Sequence, residues 1–352
     1  QLARFAASLS YDDLPRDVLD QVKGRILHGF LTGFAGFGHP MVQAGKRLVL
    51  AEEQGRGEAQ ATILVEGSRA SRLGAAFVNS LAFAARNQHD SYRMLIHPSV
   101  MVLPAAFATA EGRKVSGKEF LAAITAGYEV VCRLASGEDY IPSNQGRGFR
   151  SSPVYGIFGA ATPSGRLMGL KEDGLVHTLG FAATFAAGTA EGPRGGSGES
   201  MFQDGQATRS GMWAALMARE GFTTTETAID GEAGFYHGFT GNADWDYTPV
   251  VGDLGKRFEL LNITSKAYPT AGFNQLPILL TRKLMAEHRV KPEDIVKLDI
   301  EMNHLETRYP HPRFPRRWTV VGLIEYFVAT TAVAGDFPQQ RPWQNYVIGS
   351  VV

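Results

Sequence analysis

Asn87-Gln88-His89-Asp90-Ser91-Tyr92, followed by His97-Pro98-Ser99, places two imidazoles, a carboxylate, hydroxyls and a phenol close together in the chain. The stretch lies between two apolar segments rich in small residues, which read as buried helices. Polar groups among core helices are costly unless paired, so a cluster of acid/base-capable side chains there marks a candidate reaction site. His97 is the first candidate for a base, because an imidazole titrates near neutrality. Pro98 keeps a helix from starting upstream and sets His97 at a loop-to-helix junction. Asp90 and Ser91 either orient His97 or bind substrate; the competing reading is a capped turn with hydrogen-bonded histidines. His89, Asp90 and His97 also contain metal-ligand atoms, but their spacing follows no zinc motif, and no metal is expected.

Other residues suggest where a substrate would be held. Arg147-Gly148-Phe149-Arg150-Ser151-Ser152-Pro153 precedes a glycine-rich apolar segment. A guanidinium beside a helix N-terminus offers converging donors to a carboxylate; the alternative is a surface salt bridge. Lys266-Ala267-Tyr268-Pro269, then Asn274 and Gln275, could clamp an oxygen-rich molecule, and Tyr326 could join them. Arg308, Arg313, Arg316 and Arg317 read as a solvated basic surface. The chain has no GxSxG elbow, and Cys132 falls in a helix core pattern, so nothing supports serine or cysteine nucleophilic catalysis.

These groups must be positioned by a mostly helical chain. Asp12-Asp13-Leu14-Pro15 is a helix start signal, and Val18, Val22, Ile26, Leu27, Phe30 and Phe34 follow at helical spacing. Ala61–Val65 reads as a short strand or edge. Helices are expected over about 71–85 and 102–110. Ser116-Gly117-Lys118-Glu119 is a capping box opening a helix with Phe120, Leu121, Ile124, Tyr128 and Val131 inward. Gly156, Gly159, Ala160, Ala161 and Gly165 predict a central helix whose small residues admit close neighbours, and the segments 175–187 and 210–218 read in the same way. Gly192–Gly198 lacks the spacing of either phosphate-binding glycine motif and is expected to be a mobile loop over the site.

A polar, aromatic stretch at 242–255 marks a boundary, giving a helical domain over 1–255 and an α+β lid over 256–352. In the lid, 276–287 and 321–334 read as helices, and 295–302 alternates as a strand does. The length of 352 residues also predicts about two domains, and 44% apolar residues suffice for substantial cores. Thirty-five basic residues balance 35 acidic ones, which gives no footprint for nucleic acid or an anionic membrane and suits self-association. The single cysteine forms no internal disulfide and holds no iron–sulfur cluster. With no signal-like start and no apolar run of about 20 residues, the expected location is the cytoplasm, or an organelle matrix if a transit peptide has been removed.

The segments 84–104, 116–133, 148–170 and 204–222, with Leu14-Pro15 and Lys266-Ala267-Tyr268-Pro269, resemble the MmgE/PrpD family along essentially the whole chain. The resemblance implies a mainly α fold: a large all-helical domain, a smaller α+β lid, a cleft between them and a homodimer. It implies neither metal nor organic cofactor, and reactions of the dehydratase, decarboxylase or epimerase type on small carboxylates. It also implies further lid residues beyond Val352, either absent from this chain or given up in a shortened lid.

Individual positions both match the family pattern and depart from it. Asp90, Ser91 and His97 occupy the positions of its aspartate, threonine and HP histidine, and Lys266, Tyr268 and Tyr326 are in place. Ala84 and Arg150 stand where the family has histidines, Asn87 where it has an aspartate, Ser200 where it has a lysine, and Gln275 where it has the histidine after KxYP. The expected catalytic set is therefore His97, Asp90, Ser91 and Tyr326. Asn87, His89, Arg150, Ser152, Lys266, Tyr268 and Gln275 are expected to bind a small anionic or oxygen-rich substrate. The activity implied is a lyase or isomerase that removes a proton α to a carboxyl or carbonyl group. The alternatives are a binding or structural dimer without catalysis, and a different reaction in a specialised pathway.

Overall fold

The computed structural model describes residues 1–53, 60–93, 96–137, 139–195, 197–302 and 324–336, without the side chains of 325 and 326. The fold is mainly helical. Helices α1 (Leu2–Ser8), α2 (Arg16–Gly36) and α3 (Pro40–Glu53) lead to the strands β1 (Gln60–Thr62) and β2 (Arg69–Ser71). These strands pair antiparallel, with Ala61 opposite Ala70. Next come α4 (Arg72–Ala84), α5 (Ser99–Ala110), α6 (Gly117–Leu134), α7 (Tyr140–Gly146), α8 (Ser151–Leu167), α9 (Glu172–Phe185), α10 (Glu191–Gly195) and α11 (Glu199–Arg219). The shorter α12 (Phe235–Thr240) and α13 (Thr248–Val251) precede α14 (Gln275–His288) and α15 (Ile324–Ala334). The chain divides into two compact units, one of residues 1–190 and 201–265, the other of 191–200 and the described residues from Lys266 onward. Among the described residues no helix is long and apolar enough to cross a membrane.

The core of the first unit is layered around α8. α4, α5 and α8 are buried along nearly their whole lengths, and α6 from Ala122 onward. Small residues make this possible. A Cβ on Gly127 of α6 would lie 3.0 Å from the Gly159 carbonyl of α8, and one on Gly211 of α11 would lie 2.5 Å from the Ile157 carbonyl. Contacts between α5 and α8 pair Val102 with Gly159 and Thr109 with Ser164, so these helices run in the same direction. α6 runs against them, with Gly127 beside Pro163 and Val131 beside Gly159. The Ser116 capping box forms as the sequence predicts, the Ser116 hydroxyl accepting from Glu119 N–H at 3.2 Å.

Some sequence expectations give way. Residues 295–302 form no strand; Val296 is fully exposed and Leu298 half so, and no described strand lies beside them to accept a ladder. The glycine-dense stretch after Glu191 begins as the short helix α10 rather than as a loop. On α2, Val18 and Val22 are buried, but Leu27, Leu31 and Phe34 face solvent. The inward face there is made by Gly29 and Gly33, which admit the Phe83 ring. The basic residues at 308, 313, 316 and 317 lie outside the described residues.

One buried ion pair fastens the chain's return path to α6. Arg133 and Glu129, one turn apart, are completely enclosed and meet at 3.1 Å. The rest of the Arg133 fork donates to the carbonyls of Gly252 at 2.7 Å, Asp253 at 3.2 Å and Arg257 at 2.5 Å. Glu129 in turn accepts from Leu260 N–H at 2.9 Å. Burial pushes the Glu129 carboxyl up, and these donors pull it down. Removing one partner of a buried pair strands the other. Arg133→Leu should therefore cost about 3–5 kcal/mol in urea unfolding.

A second prediction concerns acid stability. His39 Nδ1 accepts from Met41 N–H at 3.2 Å at the start of α3, and burial holds the imidazole down at about 4. The unfolded chain takes up this proton near pH ~6.5. The neutral ring's contribution is thus complete above that pH and is lost as pH falls towards 4, by roughly 3 kcal/mol at most. Urea midpoints taken across this window should fall less steeply in His39→Gln than in the wild type.

Candidate active site

The loop joining α4 to α5 is fixed at several points. Asn87 N–H bonds back to the Ala84 carbonyl at 2.9 Å, and its φ of +49° is one that asparagine tolerates. Ser91 and Thr264 exchange two backbone hydrogen bonds of 2.9 Å each, and Tyr92 exchanges two with Ile96. The Tyr92 hydroxyl donates to Glu259 at 2.7 Å. Burial pushes the Glu259 carboxyl up, but hydrogen bonds from Asn262 and Tyr92, with Arg257 and Arg133 nearby, hold it below its usual range.

Within this frame Asp90 is wholly enclosed. Its Oδ1 accepts from Ser99 N–H, in the first turn of α5, at 3.0 Å, and its Oδ2 accepts from the Tyr128 hydroxyl of α6 at 3.0 Å. Burial and the adjacent carboxylate hold the Tyr128 phenol well above its ordinary value, so it remains a donor. His97 Nδ1 lies 3.1 Å from the Asp90 carbonyl and 3.0 Å from Ser91 Oγ. A carbonyl oxygen only accepts, so the neutral ring is assigned its proton on Nδ1 and its lone pair on Nε2. The His89 ring stacks on His97 with centroids 4.1 Å apart. Asp90, Ser91, His89 and His97 therefore form one cluster. Among the described residues no group of three or more His, Cys, Asp or Glu side chains is placed to hold a metal ion.

Arg150 stands immediately before α8, its N–H bonded to the Gly188 carbonyl at 3.0 Å. Both its terminal nitrogens donate to the buried Asp204 of α11, at 2.7 and 2.9 Å. This is a two-point fork on a carboxylate, so Arg150 meets a ligand with its charge largely compensated. Ser151 Oγ donates to Asn144 Oδ1 at 2.9 Å. Ser152 Oγ and Asn144 Nδ2 are buried with no hydrogen-bond partner among the described residues. Buried polar atoms are rarely left so. Because α5 and α8 run in the same direction, His97 and Arg150 precede helix N-termini at the same end of the bundle, where both helix dipoles favour an anion.

In the second unit Tyr268 and Gln275 hold one another. Tyr268 N–H donates to Gln275 Oε1, and Gln275 Nε2 donates to the Tyr268 carbonyl, both at 2.9 Å. Arg282 donates to the Tyr268 hydroxyl at 2.8 Å, and Lys266 is buried. Tyr326 lies on α15, and its side chain is outside those described. Sequence reasoning missed Asp204 and the Asp90 contact of Tyr128. Tyr128 was legible only as an inward-facing residue of α6, and Asp204 only as part of a resembling segment.

A family model for the MmgE/PrpD N-terminal domain matches residues 1–248. A cis-aconitate decarboxylase of Aspergillus terreus is 26% identical over 97% of this chain and 67% of its own length. The cis-aconitate decarboxylase-like protein oryM of Aspergillus oryzae is 31% identical over 77% of this chain and 58% of its own length. Human cis-aconitate decarboxylase is 27% identical over 63% and 47%, respectively. The chain thus spans between about half and two-thirds of the length of these relatives.

The Asp90 frame makes a testable claim. Tyr128→Phe removes one of the two donors to a buried carboxylate and should cost about 1–3 kcal/mol in urea unfolding. Tyr155→Phe gives the comparison, since its hydroxyl makes only a 3.4 Å bond to the Tyr140 carbonyl, and it should cost clearly less.

Proposed function

The chain belongs to the MmgE/PrpD family, and from that premise we propose that it is a lyase acting on a small, multiply charged carboxylate through proton transfer at a carbon α to a carboxyl group. The observation that carries the reading is the fixed imidazole, with His97 Nδ1 held 3.1 Å from the Asp90 carbonyl and its basic lone pair assigned to Nε2. Asp90 fixes the loop and Ser91 the ring. Asn87, His89 and Ser152, with the N-termini of α5 and α8, are assigned to the substrate's carboxylates. Arg150 is assigned to orienting that end through Asp204, with less free charge than an unpaired guanidinium would offer. Lys266 and Tyr268 are assigned to substrate by their match to the family pattern, Gln275 to supporting Tyr268, and Tyr326 to proton donation at a leaving group. Charge developing on the substrate's carboxyl group in the transition state is then met by the fixed dipoles of α5 and α8.

The relatives' printed names favour decarboxylation among the possible outcomes. The same base could also serve elimination or epimerisation. A second reading, a ligand-binding protein without turnover, is favoured by Gln275: it replaces an expected histidine, and its amide is engaged by the Tyr268 backbone.

The test is incubation in D₂O with cis-aconitate, citrate, malate and succinate-derived acids, followed by NMR. Deuterium should enter at an α-carbon, or carbon dioxide be released, for at least one acid. His97→Ala should lower that rate at least ~100-fold, the scale of general-base catalysis. An unchanged rate removes His97 from the role. No exchange and no release with any acid, by folded protein, overturns the lyase reading.

A further inference from the structure

At the opposite end of the first unit, where α5 and α8 finish, basic side chains converge on a cleft of about 500 Å³. Arg113 and Lys114 come from the turn after α5, Arg166 from the last turn of α8, and Lys171 from the turn that follows it. One carboxylate, Glu119, lines the cleft among the described residues. It is already engaged, accepting from the Ser116 N–H and hydroxyl at 2.9 Å each. The two terminal nitrogens of Arg166 donate to the carbonyls of Ala6 and Leu9, so Arg166 contributes charge to the cleft but few donors.

The positive charge extends beyond the lining. Burial, with the nearby guanidiniums of Arg72 and Arg219, holds Arg113 below its ordinary value. The Nε atoms of Arg72 and Arg113 are both buried and have no hydrogen-bond partner among the described residues. Two neighbouring acids among the described residues are already engaged: Glu111 by Thr62 and Arg69, and Glu220 by Arg219 at 2.7 Å. The ends of α5, α8 and α11 supply only about half a negative charge each, and the starts of α6 and α9 oppose them with charge of the same size. Guanidiniums and ammonium groups converging on one cleft repel one another unless an anion compensates their charge.

We propose that this cleft is a binding site for a compact polyanion of the phosphoryl or polycarboxylate class. Arg113 supplies the directional fork, and the solvent-facing Lys114 and Lys171 close on the anion as mobile point charges. The site lies about 25 Å along α8 from Ser151, given the rise of a helix of this length, so it is separate from the His97 cluster and does not depend on the reaction proposed there.

The test is isothermal titration of the whole chain, at constant ionic strength, with inorganic pyrophosphate and separately with citrate. Saturable one-site binding of at least one of them is expected. It should weaken about ten-fold or more in Arg113→Gln and in the Lys114→Gln/Lys171→Gln double variant, as loss of charge-assisted hydrogen bonds implies. It should persist in His97→Ala. Binding of pyrophosphate alone assigns the phosphoryl class, and binding of citrate alone the polycarboxylate class. Should Arg113→Gln fail to fold, the exposed lysine pair still decides. Absence of saturable binding by either anion, binding that survives loss of both lysines, or binding that disappears in His97→Ala overturns the proposal.

Discussion

The Asp90 carboxylate has no contact with solvent, and the geometry around His97 follows from how that charge is satisfied. Taking a carboxylate out of water costs several kcal/mol unless donors replace the lost hydration. Here the donors are a backbone N–H at the start of α5 and a phenol from α6. The first lies where the helix dipole already favours a negative charge. One residue therefore ties its loop to two core helices. The backbone carbonyl of the same residue then receives His97 Nδ1, so the imidazole, with Ser91 and the stacked His89 ring beside it, is held by a loop that the buried charge fixes. A loop held by only local turns would leave the ring free to rotate. This one is also clipped to Thr264 by paired backbone bonds, and through Tyr92 to Glu259.

Those two clips depend on a second buried charge. The segment running from Gly252 to Leu260 has little regular structure of its own, and its carbonyls and N–H groups must find partners elsewhere. Arg133 and Glu129 provide them from one face of α6. α6 therefore serves both sides of the loop, with Tyr128 on Asp90 and the neighbouring Glu129–Arg133 pair on the return segment. Cys132 sits on the same stretch. Burial, with Glu129 and Asp90 close by, pushes its thiol well above the ordinary range, so it fills space as a small apolar group.

Sequence made the local parts of this legible and left the distant ones hidden. The capping box at Ser116, the small residues of α8 and the clustering of His89, Asp90 and His97 all depend on neighbours a few positions away. The helical reading of the central segments holds for the same reason. The helical spacing of Leu27 and Phe34 left their side open, because α2 carries apolar residues on two faces and glycines opposite Phe83 turn the other face in. Residues 295–302 alternate as a strand does, but alternation describes a face and not a partner, and the described chain supplies no neighbouring strand. Arg150 shows the same limit in the site. Its type and place suggested a free carboxylate clamp, whereas the fork it forms is with Asp204, 54 residues along the chain.

The shared direction of α5 and α8 gives the first unit two chemically different ends. Their N-termini bring unsatisfied N–H groups and partial positive charge to the end that carries His97, Arg150 and the buried Ser152 hydroxyl. The helices α5, α8 and α11 end at the other face, and the basic residues of the turns there exceed what those termini require. An antiparallel pair would have cancelled its dipoles and offered one N-terminus at each end. The parallel pair packs closely because Gly156 and Gly159 let the axes approach, with Met101 and Val102 of α5 seated against them. The glycine pattern of α8 is thus more than a packing detail. It holds the two N-termini close together, so that their partial positive charges combine at the end of the bundle that carries His97.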